Sequence, residues 1–319
     1  MRRRRVLALG AGLAALAAGC GDASPARRLA SRTLSVVVPG PVGGEADRVA
    51  RSFTAIAERG GLTRRVEVVN RPARLALVEY VRAGPGHLLM AEPEMVGTVR
   101  PTRQATAFAG ATPLARLCGE WELLVVPASS RIQAFGAFAD QMRGAPDRLV
   151  VAGGGEGGMD HLLLGMLAQS LGVDPRALRY LACRTGGEAV DAMAAGRAEA
   201  VLGSQSGLRE RVRAGDLRVL AVSSPERIPG LDAPTLLECD VHLYCANWRA
   251  LLGPGDLSGE DRSALTALCN QVTESPPWER LCRRNGWTSL YLDGEEFRQW
   301  LRVESARLSR AYGDLGLPA

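Results

Sequence analysis

The stretch VVVPGPVGGEADRVAR, from Val36 to Arg51, decides how the rest of the chain is read. Val36 to Val38 is a short β-branched run of the kind that fills a buried strand. Pro39, Gly40, Pro41, Gly43 and Gly44 then break the pattern. A helix is expected from Glu45, with Glu45 and Asp47 in its first turn and Val49, Ala50 and Phe53 spaced to pack inward. Strand, glycine loop and helix in this order leave backbone N–H groups without intrahelical partners at the positive end of the helix dipole. Such a place seats a carboxylate or a phosphate with no catalytic side chain. The expectation is a protein that holds a small acid and performs no chemistry on it. The plainer reading is a turn that only joins a strand to a helix.

Working outward, 319 residues give room for two domains and a large apolar core. Hydrophobic content of 46% and charge of 23% are ordinary for a globular protein. All 39 basic residues are arginine, which fits GC-rich codon usage better than recruitment of Arg for function. Setting aside Arg2 to Arg5 lowers the formal charge from +5 to about +1, so nothing points to nucleic acid as a partner. Those four arginines and the short apolar run Val6 to Ala18 read as a signal peptide over residues 1–19. Leu16-Ala17-Ala18-Gly19-Cys20 looks like a bacterial lipobox, with Cys20 lipidated and residues 20–33 a polar tether. The expected location is extracytoplasmic and lipid-anchored to the cell membrane, with simple secretion to the periplasm as the alternative. The remaining cysteines are Cys118, Cys183, Cys239, Cys245, Cys269 and Cys282. An even count outside the cytoplasm permits disulfides, and Cys239 and Cys245 are close enough to bridge across a turn. No C-x-x-C occurs and His87, His161 and His242 are scattered, so no metal is expected.

Strands are expected at Arg65–Val69, Leu88–Ala91 and Glu122–Val126, with a helix over Leu75–Ala83 and a loop at Glu92-Pro93-Glu94. Pro127-Ala128-Ser129-Ser130 reads as a seam. Beyond it helix and strand alternate again: Ile132–Met142, Leu149–Ala152, Met159–Leu171, Leu178–Ala182, Glu188–Ala195, Ala198–Leu202, Leu208–Ala214 and Arg218–Ser223. A Pro-rich stretch, Pro225 to Pro234, suggests a crossing back. A strand at Trp248–Leu252 and helices Ser258–Thr273, Trp278–Asn285 and Glu295–Tyr312 close the chain. The class is α/β with mostly parallel sheets, in two lobes with a cleft between them. Residues 34–127 with 243–319 are expected to form the first lobe and 128–242 the second, closing about crossings near Pro127 and Leu243.

The loop Gly153-Gly154-Gly155-Glu156-Gly157-Gly158 repeats the opening logic in the second lobe. It also fits G-x-G-x-x-G after a strand, so an NADP-dependent oxidoreductase is the enzyme alternative, with Arg184 suited to a 2′-phosphate. Export works against it, and Glu156 would repel a pyrophosphate. Without lysine, neither a P-loop nor Schiff-base chemistry is open, and Gly203-Ser204-Gln205-Ser206-Gly207 is a shifted nucleophile elbow. No enzyme activity and no cofactor are expected. Asp47 and Asp160 read first as helix-start residues, and as partners of a ligand amino group in the sharper reading. His161 sits near the second helix start, where it packs or reaches a ligand, and the five tryptophans read as core.

The ordered set of motifs resembles the tripartite tricarboxylate transporter solute receptors, also called Bug receptors. It comprises Val38 to Asp47 with Arg51, Gly153 to His161, Arg179-Tyr180 with Gly186 to Ala189, Ala214 to Val222, Ala233 to Glu238, and Asn247-Trp248-Arg249. The resemblance covers roughly residues 34 to 316. It implies a periplasmic-binding-protein-like (type II) Venus flytrap that captures a small organic acid and delivers it to the membrane permease subunits of a tripartite transporter. A ligand sensor without a transport role is the other alternative. Carried over by position, the implied ligand contacts are Pro41, Val42, Gly43 and Gly44 in the first lobe and Glu156, Gly157, Gly158, His161, Thr185 and Ser204 in the second. Two departures stand out. Asn70-Arg71-Pro72 leads into Ala73-Arg74-Leu75-Ala76 where the family has a glycine-rich run. Glu156 replaces a small or hydroxyl residue, disfavouring a second ligand carboxylate nearby and favouring an amine or hydroxyl.

Overall fold

The valine run lies inside β1 (Thr33–Pro39), which pairs in parallel with both β2 (Arg65–Arg71) and β3 (His87–Ala91). The structure is a computed structural model that describes residues 33–73, 75, 76, 80, 86–98 and 110–317. The signal peptide, Cys20 and nearly all of the tether lie outside these, as does most of the helix expected over Leu75–Ala83. Helix α1 (Glu45–Arg59) starts where the acidic pair predicts and buries Val49, Ala50, Phe53 and Ala57 against the first sheet. A short helix, α2 (Glu94–Thr98), follows β3.

The chain then enters β4 (Thr112–Pro127), sixteen residues long, of which the sequence reveals only Glu122–Val126. Pro113, Gly119 and Glu120 interrupt the part before Trp121, residues poorly suited to strands by propensity. The second array comprises α3 (Phe135–Gly144), β5 (Val150–Gly153), α4 (Met159–Ser170), β6 (Arg179–Ala182), α5 (Gly186–Ala194), β7 (Ala200–Ser204), α6 (Gln205–Arg213) and β8 (Leu217–Val222). Helix α3 begins three residues later than its pattern suggests, since Ile132 lies in the loop before it. The chain returns through β9 (Ala246–Gly253), α7 (Gly259–Thr273), α8 (Pro276–Asn285), β10 (Thr288–Asp293) and α9 (Gly294–Asp314). Strand β10 was not expected: six residues between two helices carry too little alternation to read.

The architecture is α/β and two-lobed, with strand order β2-β1-β3-β9-β4-β7-β5-β6 and with β8 and β10 also on β4. The outer strands of each lobe pair in parallel. Strand β4 serves both lobes. Thr112 to Trp121 pairs antiparallel with β9, while Glu122 to Val125 pairs with β7 and Leu123 to Pro127 with β8. The change of partner therefore falls between Trp121 and Glu122, rather than at the Pro127 end. Ser223 stitches the return path beside it. Its N–H donates to the Glu122 carbonyl, its Oγ receives the Glu122 N–H at 2.9 Å and donates to the Cys245 carbonyl at 2.6 Å.

One apolar cluster lies on the outer face of the first lobe and another in the second, each between strands and helices. The largest runs through both: it joins Leu89 and Trp248 to Leu124 and Leu162 by way of Phe297, Leu308 and Tyr312 on α9. The six described cysteines are free thiols, so the disulfides that their even count permits, Cys239–Cys245 among them, are not formed here. Cys245 is buried, its Sγ 3.9 Å from Met159 Sδ and touched by Arg307, while Cys239 lies half-exposed at the end of a single helical turn. Among the described residues no helix is long and apolar enough to cross a membrane.

Candidate ligand-binding cleft

Both glycine loops turn from the C-terminal end of a strand into a helix start, the edge at which open α/β sheets bind ligands. Gly40 and Gly43 take φ of +97° and +83°, and Gly157 takes +76°, values that favour glycine. The loop amides are not bare, however. Gly43 N–H donates to Asp47 Oδ2 at 2.8 Å, Gly154 N–H to Asp160 Oδ2 at 2.6 Å, and Gly157 N–H to His161 Nδ1 at 3.2 Å. Gly44 and Gly158 close turns onto the Pro41 and Gly155 carbonyls. The expectation of open N–H cradles is corrected at these positions, because short side chains one turn into each helix satisfy the donors first.

The most telling donor is Met159 N–H at the start of α4. It meets Glu94 Oε1, a carboxylate from the first lobe, at 3.2 Å. A side chain of the protein thus occupies the place where a ligand acid was expected.

The predicted residues fall into three settings. Pro41, Val42 and Gly43 are exposed, with Val42 72% accessible, and Gly44 is half-buried. Asp47 is buried and also ion-paired with Arg51 at 2.9 Å. Its pKa ends below the usual range: burial pushes it up, but the hydrogen bonds from Arg51 and Gly43 prevail. Glu156 is exposed, beside the half-buried Gly157 and Gly158. His161 is buried and stacks on Tyr180 with ring centroids 4.1 Å apart. Burial lowers its pKa against the pull of Glu156, keeping the imidazole neutral to accept at Nδ1. Tyr180 in turn donates to the Gly154 carbonyl at 2.9 Å, so the pair braces the loop. Thr185 and Ser204 cap α5 and α6, accepting from Glu188 and Gly207 N–H respectively. Those amides at 154, 157 and 158 are engaged by the chain itself, as the dinucleotide reading would not have them.

Sequence reasoning missed the floor between the loops. Glu120 and Glu122 leave the same face of β4, only 2% and 1% exposed, on either side of the point where β4 changes lobes. Glu45, at the first position of α1, is hydrogen-bonded to Glu120, and Asp160 of α4 to Glu122. The two helix starts therefore converge on neighbouring residues of one strand. Ser206 N–H of α6 donates to Glu120 Oε2 at 3.2 Å. Arg249 of β9, 4% exposed, lies 3.4 Å from Glu92 and also engages Asn247 and the Trp248 carbonyl. Burial, with Glu45 nearby, raises the Glu120 pKa to about 7. Burial and Glu94 raise Glu92 to about 8, and burial raises Asp160 to about 6. Glu122 is pushed up by burial and by Asp160. The signal available in the sequence was a glutamate inside an apolar strand, Glu120-Trp121-Glu122-Leu123-Leu124.

Beside this floor opens an interlobe groove of about 530 Å³. Arg48 and Arg284 line it from the first lobe, and Ser206, Arg209 and Arg211 from the second. Arg48 is ion-paired with Glu45, so groove and floor adjoin.

The model of the tripartite tricarboxylate transporter family receptors matches residues 73–317. A protein from the tcbD-tcbE intergenic region of Pseudomonas sp. strain P51 is 29% identical over 245 residues, covering 74% of this chain and 71% of that one. Among solved structures, a TctC solute binding protein from Polaromonas superposes with a TM-score of 0.73 at 22% identity, covering 89% of this chain and 99% of that one. MatC from Rhodopseudomonas palustris, solved with bound malate, gives 0.68 at 20% identity, with 89% and 99% covered.

Proposed function

Because the chain belongs to the tripartite tricarboxylate transporter receptor family, we propose that it captures a small organic acid between its lobes outside the cytoplasm and delivers it to a membrane permease. The observation that carries the reading is the convergence of the α1 and α4 starts on Glu120 and Glu122, where one strand passes from lobe to lobe. Residues 34–121 with the return from about 246 act as the first lobe, and Glu122 to Ser223 as the second. The malate bound to MatC supports an acid as ligand.

A ligand that touches both lobes binds the closed form better than the open one and draws the equilibrium toward closure. Pro41 to Gly44 with Asp47 face it from the first lobe; Glu156 to Gly158 with His161, and the caps Thr185 and Ser204, face it from the second. Glu94, resting on α4, is displaced or shared when the acid enters. Cys20 carries the lipid anchor that holds the receptor at the membrane.

Native mass spectrometry of freshly purified protein should show a retained acid of low mass, lost in Gly43→Asp, where the added carboxylate repels it. Gly43 has open space around it, so the added side chain meets no packed neighbour. A wild-type chain that neither retains nor binds any organic acid would falsify the receptor reading. Uptake of that acid by cells should fall to background when this chain is deleted and the permease is kept.

A further inference from the structure

Two grooves on the flank of the molecule share Arg284, and arginine lines both. The interlobe groove of about 530 Å³ takes Arg48 and Arg284 from the first lobe and Arg209 and Arg211 from the second. Its neighbour, of about 590 Å³, lies between α1 and α8, where Arg284 is joined by Arg51, Arg59 and Arg280. None of the ligand contacts proposed above lines either groove. Together they hold these seven arginines and one acid, Glu210, in a chain whose 39 basic and 34 acidic residues nearly balance, so the excess is local. Arg48 and Arg51 pair with Glu45 and Asp47, and Arg211 lies 3.4 Å from Asp191 and 3.9 Å from Asp216. Arg59, Arg280 and Arg284 are exposed and, among the described residues, have no carboxylate within ion-pairing distance. Arg209 meets a carbonyl in place of an acid: its Nη1 donates to the Arg284 carbonyl at 3.2 Å, from the second lobe to the end of α8 in the first.

Charge and shape together restrict what can cover this face. Arg48 and Arg59 stand about 16 Å apart along α1, a span longer than a small acid. Ala55, Ile56, Pro277 and Leu281 form an apolar bed between the arginines of the second groove. We propose that the face built by α1, α8 and α6 docks an acidic amphipathic segment of a partner protein, its apolar side chains in the bed and its carboxylates on the guanidinium groups. Guanidinium pairs with carboxylate through two parallel hydrogen bonds, which fixes register as well as affinity. An anionic bilayer matches the charge but presents a plane, which leaves two concave grooves unfilled. No aromatic side chain lines either groove, so the stacking platform of a single-stranded nucleic acid is missing. The segment touches both lobes, because Arg284 and Arg209 meet across their boundary. Gly286 lets them come close: a Cβ there would lie 2.1 Å from Arg209 Nη2. A segment held by both lobes binds their joined arrangement better than the parted one. The proposal adds a second surface to the receptor reading and does not depend on what the cleft holds.

The test is fluorescence anisotropy of labelled peptides in which glutamate and leucine repeat at helical or at extended spacing, titrated with the purified protein. Lysine-for-glutamate counterparts and vesicles of phosphatidylglycerol serve as comparisons. We expect an acidic peptide to bind, and Arg59→Glu combined with Arg280→Glu to weaken it by about tenfold or more. Arg211→Glu, in the second lobe, should weaken it by about threefold or more. Arg143→Glu combined with Arg148→Glu reverses equal charge outside both grooves and should leave the affinity within about twofold. All five positions are exposed, so the core is left intact. Binding by none of the acidic peptides, or by the lysine counterparts equally, overturns the proposal. Equal losses in the two double variants show diffuse attraction and overturn it as well. Unchanged affinity in Arg211→Glu overturns the seat across both lobes. Vesicles that bind through Arg59 and Arg280 while the peptides do not would assign the face to a membrane instead. The receptor reading stands in every one of these cases.

Discussion

Gly43 and His161 show how single residues prepare this cleft. At φ +83° an L side chain is strained, so Gly43→Ala should cost about 1 kcal/mol of stability, measured by urea unfolding, without steric conflict. His161→Ala leaves Gly157 N–H without its acceptor and Tyr180 without its stacking partner. It should cost about 1–3 kcal/mol and raise the rate of hydrogen exchange at Gly157, and a change at Gly157 no larger than elsewhere would refute the bracing role. The glycine loops were legible because glycine and proline punctuate a sequence strongly. Which acceptor closes each loop amide was half-legible: Asp47 and Asp160 sit at helix starts, but that Glu94 reaches α4 from the other lobe depends on tertiary structure alone. Glu120 and Glu122 escaped notice because a charged residue in a strand reads as its solvent face. Here that face is covered by the starts of α1 and α4.

At the scale of elements, α9 is the clamp. Its Tyr312 hydroxyl lies 2.6 Å from the Gly157 carbonyl and 3.4 Å from the Glu94 carbonyl, so one side chain from the end of the chain ties the loop of the second lobe to the acidic turn of the first. Tyr312→Phe should lower stability by about 1 kcal/mol and speed ligand release, read by stopped-flow fluorescence. Unaltered release would show that the contact does not help hold the lobes together. Higher on the same helix, Glu304 accepts from Trp248 Nε1 at 3.3 Å and from Arg307, fixing α9 to β9. Helix α1 depends on its apolar stripe instead. Phe53, 1% exposed and edge-on to Trp278, should cost about 3–5 kcal/mol as Phe53→Ala in thermal unfolding. The α1 stripe was readable from spacing alone, whereas β4 was not. A strand that passes between lobes has different surroundings along its length, so its first half carries no single alternation to read.

For the whole molecule, the acidic floor sets a pH dependence whose sign follows from proton counting. Glu92, Glu120 and Asp160 release their protons near 8, 7 and 6 when folded, against 4.5, 4.5 and 3.8 for the free groups, and Glu122 is raised as well. The folded chain therefore holds more protons than the unfolded chain from about pH 4.5 to 8, and stability must fall as pH rises through that window. Glu45 and Asp47, whose pKa values are lowered, act in the opposite sense only below that window; His161, also lowered, opposes the trend inside it as a single group against four raised acids. Urea midpoints of the empty protein should decline from about pH 5 to 8, and less steeply in Glu122→Gln. A midpoint that rises across this range would refute the buried-acid account. The unbroken course of β4 carries a last consequence. With no loop at the boundary between Trp121 and Glu122, the proposed closure flexes a continuous ribbon, as a leaf spring does, in place of a slack joint. The pairing irregularities at Pro113/Ala115, Arg116/Cys118 and Leu124/Val125 flank that boundary and give the ribbon its compliance. The stiffness of the snap shut is then written into hydrogen-bond registry, and a substitution far from the bound molecule, at one of these irregularities, should retune how tightly it is held.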